Sequence, residues 1–225
     1  MKKALYNLLL VAHPDDESIF FSGLVLRRRK LPWHLICATD GNADGRGAER
    51  SDELRRAAKI LGIKKVEQWQ YPDIYEKRLP LSEVVARLKE LPEPMEIFTH
   101  NPIGEYGHPH HQDLCAAAHL AFPEKKISST AYNCEPDFSI ALSKTEIAKK
   151  KKLYAEIYRK EAERFLEQLP LASTEGFAKF TKKEALAMHG YFLGDSLPEA
   201  KLLKKFRWMR EILPDIRDRI SARRF

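Results

Sequence analysis

The sequence LYNLLLVAHPDDES, residues 5–18, indicates the fold of the chain. Its first part belongs to a run of mainly apolar residues, 4–12, which predicts one buried strand and is far too short to cross a membrane. Its second part places one histidine and three carboxylates within five residues, directly after that strand. In α/β proteins ligands bind at the carboxyl ends of the strands, so we predict a functional loop here.

Strand patterns alternate with helical patterns along the chain that follows. Strands are predicted at residues 4–12, 33–40, 65–71, 95–100 and 128–133, with a further candidate at 138–143, and helices at 16–29, 49–61, 81–91 and 110–122. This alternation predicts βαβ units and an α/β fold with a mostly parallel sheet. The pattern after Lys144 is long, charged and helical. We expect a single domain over residues 1–225, with an α/β core at 1–143 and a basic, mainly helical part at 144–225.

Composition favours a globular protein of a reducing compartment. Apolar residues make up 44% of the chain, which is too many for a disordered protein. Two lysines precede the first apolar run, but no small-residue cleavage site follows it, so a signal peptide is not expected. Cys37, Cys115 and Cys134 are widely spaced and form no CxxC pair, which favours buried, reduced thiols. We therefore expect a cytoplasmic protein.

The positive charge is concentrated in the last third of the chain. Residues 1–143 carry 19 lysines and arginines against 20 acids, whereas residues 144–225 carry 20 against 12. Solvated helix faces are the favoured explanation, and an anionic partner is the alternative. No basic run is interleaved with aromatic residues as a nucleic-acid groove requires, so no nucleic acid is expected as a partner.

The segment KLLKKFRWMR, residues 201–210, predicts an amphipathic basic helix. Its apolar residues recur near helical spacing among five cations: Leu202, Leu203, Phe206, Trp208 and Met209. Such a helix either lies on an anionic membrane surface or packs its apolar stripe on the domain. We favour packing, because an α/β core is available to cover.

The residues with catalytic or metal-binding side chains follow four different predicted strands. Because the carboxyl ends of parallel strands share one edge of a sheet, we expect these loops to lie together. They are His13-Pro14-Asp15-Asp16-Glu17, Thr39-Asp40-Gly41, Tyr71-Pro72-Asp73, and His100-Asn101-Pro102 leading into GEYGHPHH, residues 104–111.

Two of these loops have the composition of a metal site. His13 and Asp16 are three residues apart across a tight turn, and His108 and His111 are three apart at the start of a helix, where they share one face. His110 points elsewhere. One histidine, one aspartate and one further histidine form an open zinc site of the hydrolytic kind, and the same ligands accept iron, cobalt or nickel.

Asp15 has two interpretations. It lies beside Asp16 but should point away from its neighbour, where it could take a proton from the attacking water as a general base. The structural alternative is that Asp15 or Asp16 serves only as the N-cap of the next helix. Two clusters with metal-ligand residue types, each at a strand end, favour the functional interpretation.

At this point the sequence resembles the PIG-L/LmbE-like zinc-dependent de-N-acetylases. AHPDDE is a specific motif, and it is joined by the Gly-rich loop after the second strand, by GEYGHPHH, and by a helix with Arg50, Glu53, Leu61 and Gly62. The resemblance covers residues 4 to about 122. HPHH departs from the commoner His-Pro-Asp-His form of the family, because His110 replaces an acid, but both functional histidines remain.

The resemblance implies a Rossmann-like fold with helices on both faces of the sheet, and zinc as the ion. It assigns the metal ligands to His13, Asp16 and His111, and the general base to Asp15. His108 would support the oxyanion or protonate the leaving amine, and Tyr106 would polarise the amide carbonyl. Sugar hydroxyls would bind to two further residues, Arg50 and Asp73.

We therefore hypothesise a zinc-dependent deacetylase of an N-acetylglucosamine-type sugar in a conjugate. The partner would be a small-molecule or lipid-linked amino-sugar conjugate, with membrane-surface contact not favoured. One alternative is hydrolysis of a different amide by the same site. Another is a catalytically idle module that binds through the basic C-terminal region. The intact set Asp15, Asp16, His108 and His111 argues against the idle module.

Overall fold

A computed structural model describes residues 5–164 and 173–222 of the chain. Strands and helices alternate in it up to residue 130, as the sequence predicts. Their bounds are β1 Asn7–Val11, α1 Asp16–Arg27, β2 Trp33–Thr39, α2 Gly47–Leu61, β3 Lys65–Tyr71, α3 Leu81–Lys89, β4 Glu96–Thr99, α4 Pro109–Ala121 and β5 Ile127–Thr130. After these come β6 Phe138–Ala141, α5 Lys144–Lys152, a π-helical turn Leu153–Ile157, α6 Arg159–Arg164, β7 Thr174–Ala178, α7 Lys182–Phe192, 3₁₀ turns Ala200–Leu202 and Lys204–Met209, and α8 Leu213–Ala222.

The described residues form two compact units. The first extends to Asp73 and includes Ser139–Gly176, and the second comprises Ile74–Phe138 and the residues from Phe177 onward. Among the described residues, no helix is both long and apolar enough to cross a membrane.

The first unit is built on three parallel strands in the order β3-β2-β1. Val11 lies beside Cys37 in the pairing of β1 with β2, and His34 lies beside Lys65 in the pairing of β2 with β3. Every residue of β1 and β2 is buried, as expected for parallel strands that are covered on both faces. The carboxyl end of β1 opens directly into the HPDD turn.

Helix α1 in this unit is completed by two residues from the later part of the chain. The carboxylate of Glu175 accepts hydrogen bonds from the backbone N–H groups of Gly23 (2.8 Å) and Leu24 (2.9 Å). The ammonium of Lys150 donates to the carbonyl of Ile19 (2.9 Å) and pairs with Glu175 (2.8 Å). An ion pair thus bonds backbone groups in the middle of the helix. Lys150 is fully buried, so the prediction of a solvated basic face is wrong for this residue.

The second unit contains β4 and β5 as parallel neighbours, with β7 antiparallel to β5. Ser129 pairs with Ala178 and Thr130 pairs with Phe177. The predicted α/β class with mostly parallel, Rossmann-like strands is confirmed. Strand β7 was not predicted, because its short sequence TEGFA contains glycine and glutamate and lies in a stretch with a helical charge pattern.

Residues 201–210 pack within the second unit, but not as the predicted α-helix. They form 3₁₀ turns, in which side chains three residues apart share one face. Leu203, Phe206 and Met209 follow this spacing and are buried in one apolar cluster with Tyr191 and Leu213. Trp208 lies off that face and is 62% exposed. The packing interpretation therefore holds for three of the five apolar residues.

Candidate active site

The HPDD turn of the first unit is buried and internally hydrogen-bonded. The backbone N–H of His13 donates to the carboxylate of Asp16 (2.7 Å), which fixes the aspartate side chain beside the histidine. Asp15 is at the N-cap position of α1, but its side chain makes no capping hydrogen bond. Its φ of 130° is unusual for a residue other than glycine. The N-cap alternative therefore does not account for the side chain of Asp15.

His13 lies between two carboxylates. Its Nδ1 is 3.4 Å from Oδ2 of Asp16, and its Nε2 is 3.2 Å from Oδ1 of Asp73. Burial alone would lower the pKa of His13, but the two carboxylates raise it to about 10. An imidazole that faces two carboxylates is a site where a metal cation can take the place of a proton.

Arg50 connects the turn to Asp73. Its Nη2 donates to the carbonyl of Pro14 (2.7 Å) and to Oδ2 of Asp15 (3.1 Å), and its Nη1 is 3.5 Å from Oδ2 of Asp73. Burial raises the pKa of Asp15 well above its usual value, although the guanidinium of Arg50 opposes the shift. A raised pKa suits a carboxylate that must accept a proton.

Gly41 brings the Gly-rich loop, residues 41–47, against the same turn. Its φ is +66°, and a Cβ there would lie 2.9 Å from the ring of Pro14. Only glycine combines this backbone conformation with so close an approach.

In the second unit, a second tight turn positions the histidines of GEYGHPHH. Gly104 has a φ of +77°, and a Cβ there would overlap the carbonyl oxygen of His108. The turn ends in α4, where His108 is the N-cap and Pro109 is the first helical residue. Nδ1 of His108 accepts the backbone N–H of His110 (3.3 Å), which leaves Nε2 as the ring nitrogen that carries a proton.

The carboxylate of Glu105 bonds the rings of two histidines, His100 and His111. Its Oε2 accepts from Nδ1 of His111 (2.6 Å) and from Nδ1 of His100 (3.1 Å), and the two rings stack at 3.7 Å. Burial would raise the pKa of Glu105, but the two imidazoles lower it to about 2. A carboxylate on Nδ1 orients the ring and leaves Nε2 available as a metal ligand.

The rings of Tyr106, His108 and His111 lie together in this unit. The ring of Tyr106 is 5.6 Å from that of His111 and 6.1 Å from that of His108, and the two histidine rings are 4.8 Å apart. Nε2 of His110 bonds the carbonyls of Ile74 (3.1 Å) and Lys77 (2.8 Å), and its ring is 5.0 Å from that of His108.

The sequence-predicted residues thus form one cluster in each unit. Glu105 was not predicted, because a carboxylate in a glycine-rich loop has no periodic pattern. Its position three residues before His108 was the one available signal. His100, Glu105 and His111 offer ligand atoms within 4.8 Å of one another. Since the Nδ1 atoms of both histidines bond Glu105, we interpret this trio as an orienting cluster.

Residues 8–122 match the protein-family model PIG-L, described as GlcNAc-PI de-N-acetylase. The match covers more than half of the chain, and the chain belongs to this family. It contains AHPDDE, the Arg50 helix and GEYGHPHH, whereas residues 123–225 lie outside it.

Two curated relatives have names that fit this family. The N-acetylglucosaminyl-phosphatidylinositol de-N-acetylase of Saccharomyces cerevisiae is 28% identical over 149 residues, 60% of this chain and 49% of that protein. "Probable N-acetyl-alpha-D-glucosaminyl L-malate deacetylase 2" of Bacillus anthracis is 31% identical over 147 residues, 56% of this chain and 64% of that protein. The chain thus spans about half to two thirds of the length of these two relatives.

The fold is shared with N,N'-diacetylchitobiose deacetylase from Pyrococcus horikoshii, which was solved with an inhibitor. The two structures superpose with a TM-score of 0.61 at 19% identity, over 79% of this chain and 84% of that chain.

Proposed function

We propose that this protein is a metal-dependent hydrolase that removes the N-acetyl group from an N-acetylglucosamine-type sugar in a conjugate. The observation that carries the proposal is the family match over residues 8–122, with every motif residue of AHPDDE and both functional histidines of HPHH present. The names of the yeast and Bacillus relatives support an amino-sugar conjugate as the substrate.

We assign the metal ligands to His13, Asp16 and His111, with zinc as the ion. The donor types support this assignment: all three residues are buried, and Glu105 orients the ring of His111 through Nδ1, so that Nε2 is the nitrogen that would bind the ion. When bound, the ion supplies Lewis acidity to the acetyl carbonyl and to the attacking water.

The other residues divide the proton transfers between them. Asp15, held by Arg50, takes the proton from the attacking water as general base. The Nε2 proton of His108 stabilises the developing oxyanion or passes to the departing amine, and the hydroxyl of Tyr106 donates to the same oxyanion. Arg50 is 5% exposed and its guanidinium faces backbone carbonyls and carboxylates. Sugar binding by Arg50 and Asp73 therefore stays a prediction beside this positioning role.

The partner in this proposal is a small-molecule or lipid-linked conjugate. A cytoplasmic location remains part of the proposal, and the unpaired thiols of Cys37, Cys115 and Cys134 are consistent with it.

The test is amine release from a panel of N-acetylglucosaminyl conjugates, with the aglycone being phosphatidylinositol, malate or a second N-acetylglucosamine. We expect release of free amine and acetate in equal amounts by zinc-loaded protein, and none by protein stripped with a chelator. Release of a different acid from another amide would favour the alternative hydrolase. Absence of turnover on the whole panel, by protein with metal bound, would favour the idle module.

A further inference from the structure

Two buried residues of the first unit approach Asp15 from outside the family-matched segment. Tyr158 directly follows the π-helical turn, and Glu161 is in α6. Both are 1% exposed, and both lie beyond residue 122, where the family match ends.

Tyr158 reaches the backbone of Asp15 through Glu17. The hydroxyl of Tyr158 donates to Oε1 of Glu17 (2.9 Å), and Oε2 of Glu17 accepts the backbone N–H of Asp15 (3.2 Å). Glu17 is fully buried, so its carboxylate is directed by these partners and by Ser18 (2.6 Å). The backbone of Asp15, at a φ of 130°, is therefore held at its N–H group.

Glu161 reaches the side chain of Asp15 through Arg50. Its Oε1 bonds Nη2 of Arg46 and is 3.8 Å from Nε of Arg50. Arg50 in turn donates to Oδ2 of Asp15. Glu161 is thus an ion-pair partner of Arg50 at Nε, at a distance too long for a hydrogen bond, while Nη1 and Nη2 face the carboxylates of Asp73 and Asp15.

The π-helical turn sets the direction of these two side chains. The N–H of Tyr158 bonds the carbonyl of Leu153, five residues earlier (2.8 Å), which inserts one extra residue into the helical path. Without the extra residue, everything after it would rotate by about 100° around the helix axis. Tyr158 and Glu161 would then face away from Glu17 and Arg50.

We propose that Tyr158 and Glu161 are positioning residues that hold the backbone and the carboxylate of Asp15 in the orientation its role as general base requires. This inference rests on the proposed function. A conformation as unusual as that of Asp15 persists where its surroundings hold it, and these two routes supply separate supports. The two residues that position the general base thus lie outside the segment that matches the family model.

The test compares Tyr158→Phe with Tyr154→Phe. Tyr154 is on the π-helical turn that Tyr158 directly follows, and its hydroxyl bonds the carbonyl of Ile19 (3.5 Å) rather than Glu17. We expect Tyr158→Phe to lower kcat roughly 10-fold with KM within about 2-fold, the scale of one lost hydrogen bond to a charged group, and Tyr154→Phe to leave kcat unchanged. Equal losses in the two variants would overturn the proposal.

Glu161→Gln supplies the second variant, with the exposed Glu163→Gln as its control.

In the Asp15→Asn background, Tyr158→Phe should change the residual turnover by less than about 2-fold, because the group that it positions is already disabled. A full 10-fold loss in that background would mean that Tyr158 acts through general stability, and would overturn the proposal.

A separate measurement distinguishes failure of this proposal from failure of the proposed function. In ¹⁵N-labelled protein, Tyr158→Phe should shift the backbone amide signal of Asp15 and speed its hydrogen exchange, while Tyr154→Phe should not. If the wild-type protein releases no amine but the amide of Asp15 responds, the deacetylase assignment fails and the positioning contact stands. An unchanged Asp15 amide in both Tyr158→Phe and Glu161→Gln would overturn the positioning proposal whatever the activity.

Discussion

At the scale of single residues, the carboxylate of Asp15 has a different environment from the carboxylates of Asp16 and Glu17. The Asp16 carboxylate accepts the backbone N–H of His13, and Glu17 faces the interior, whereas Asp15 faces Arg50 with a raised pKa. Three adjacent carboxyl groups thus have three different environments, which is how acid and base roles are divided within one site.

We predict that Asp15→Asn retains the metal and loses most of kcat. The substitution removes proton abstraction and keeps the size of the side chain, so a loss of roughly 10²–10⁴-fold is expected. Steady-state kinetics together with metal analysis of the purified variant measures both effects. Near-normal turnover would move the base to another residue, for which the nearby carboxylate of Glu17, although fully buried, is the next candidate.

A second residue-scale prediction concerns metal binding. His13→Ala, Asp16→Ala and His111→Ala should each lose most of about one bound divalent ion per chain, whereas His110→Ala should keep it, because His110 bonds the carbonyls of the 74–77 turn. Elemental analysis after dialysis measures the content. Loss of the ion in His110→Ala with retention in His111→Ala would reverse the assignment.

A substitution of Glu105 should weaken metal binding without abolishing it. Glu105→Gln keeps the ligands but removes the carboxylate from Nδ1 of His111, so zinc affinity should fall by roughly 10–100-fold. Competition with a chromogenic chelator resolves a change of this size. Unchanged affinity would mean that Glu105 has only a structural role.

Glu17 makes stability depend on pH. Burial raises its pKa from 4.5 to about 7, although Ser18, Tyr158 and the Asp15 amide oppose the shift. The native state therefore binds this proton more tightly than the unfolded state, and the contribution of Glu17 is full below pH 4.5 and is lost as the pH rises through about 7. The loss is on the order of 3 kcal/mol.

Glu17→Gln should flatten this part of the profile. Urea unfolding of wild type and variant at several pH values between 4 and 8 gives the difference directly. A wild-type-minus-variant stability difference that is constant across this range would contradict the raised pKa.

At the scale of elements, the sequence predicts those strands and helix ends that are determined by residues close by in the chain. The buried strand β1, the stop of α2 at Gly62 and the start of α4 near Pro109 each follow from residues next to them in the chain. Strand β7 does not, since its place depends on pairing with β5, whose residues lie about 50 positions earlier. The site divides in the same way: HPDD and HPHH are local motifs, but Glu105, Tyr158 and Glu161 act through contacts that spacing does not encode.

The basic segment 201–210 carries an element-scale prediction. Three of its apolar side chains are buried, so we expect no sedimentation with anionic liposomes at physiological salt. The last basic stretch, residues 217–225, lies partly outside the described residues. Sedimentation at low and high salt decides the matter. Binding that weakens steeply with salt would point to the exposed Trp208 and its neighbouring cations, each worth about 1 kcal/mol near such a surface.

At the scale of the whole molecule, the segment that matches the family model and the first compact unit have different bounds. The family match ends at residue 122, but the first unit includes residues 139–176. The predicted division of one domain into an α/β core at 1–143 and a basic, mainly helical part at 144–225 rests on charge and helical pattern, which do not record contacts. Residues from the basic part lie inside the first unit, as Lys150 demonstrates.

The ion pair that bonds the backbone of α1 has a consequence for how the gene can be divided. A fragment of residues 1–143 lacks both Lys150 and Glu175, so the N–H groups of Gly23 and Leu24 and the carbonyl of Ile19 lose these partners inside an apolar environment. We expect that fragment to aggregate when it is produced alone, and to become soluble when residues 144–225 are co-expressed as a second polypeptide. Solubility and co-purification through a tag on one fragment measure this, and a soluble, monomeric 1–143 fragment would contradict it. If co-expression restores solubility as expected, the two fragments could be used as a split reporter, in which recovery of function indicates that the two fragments have associated.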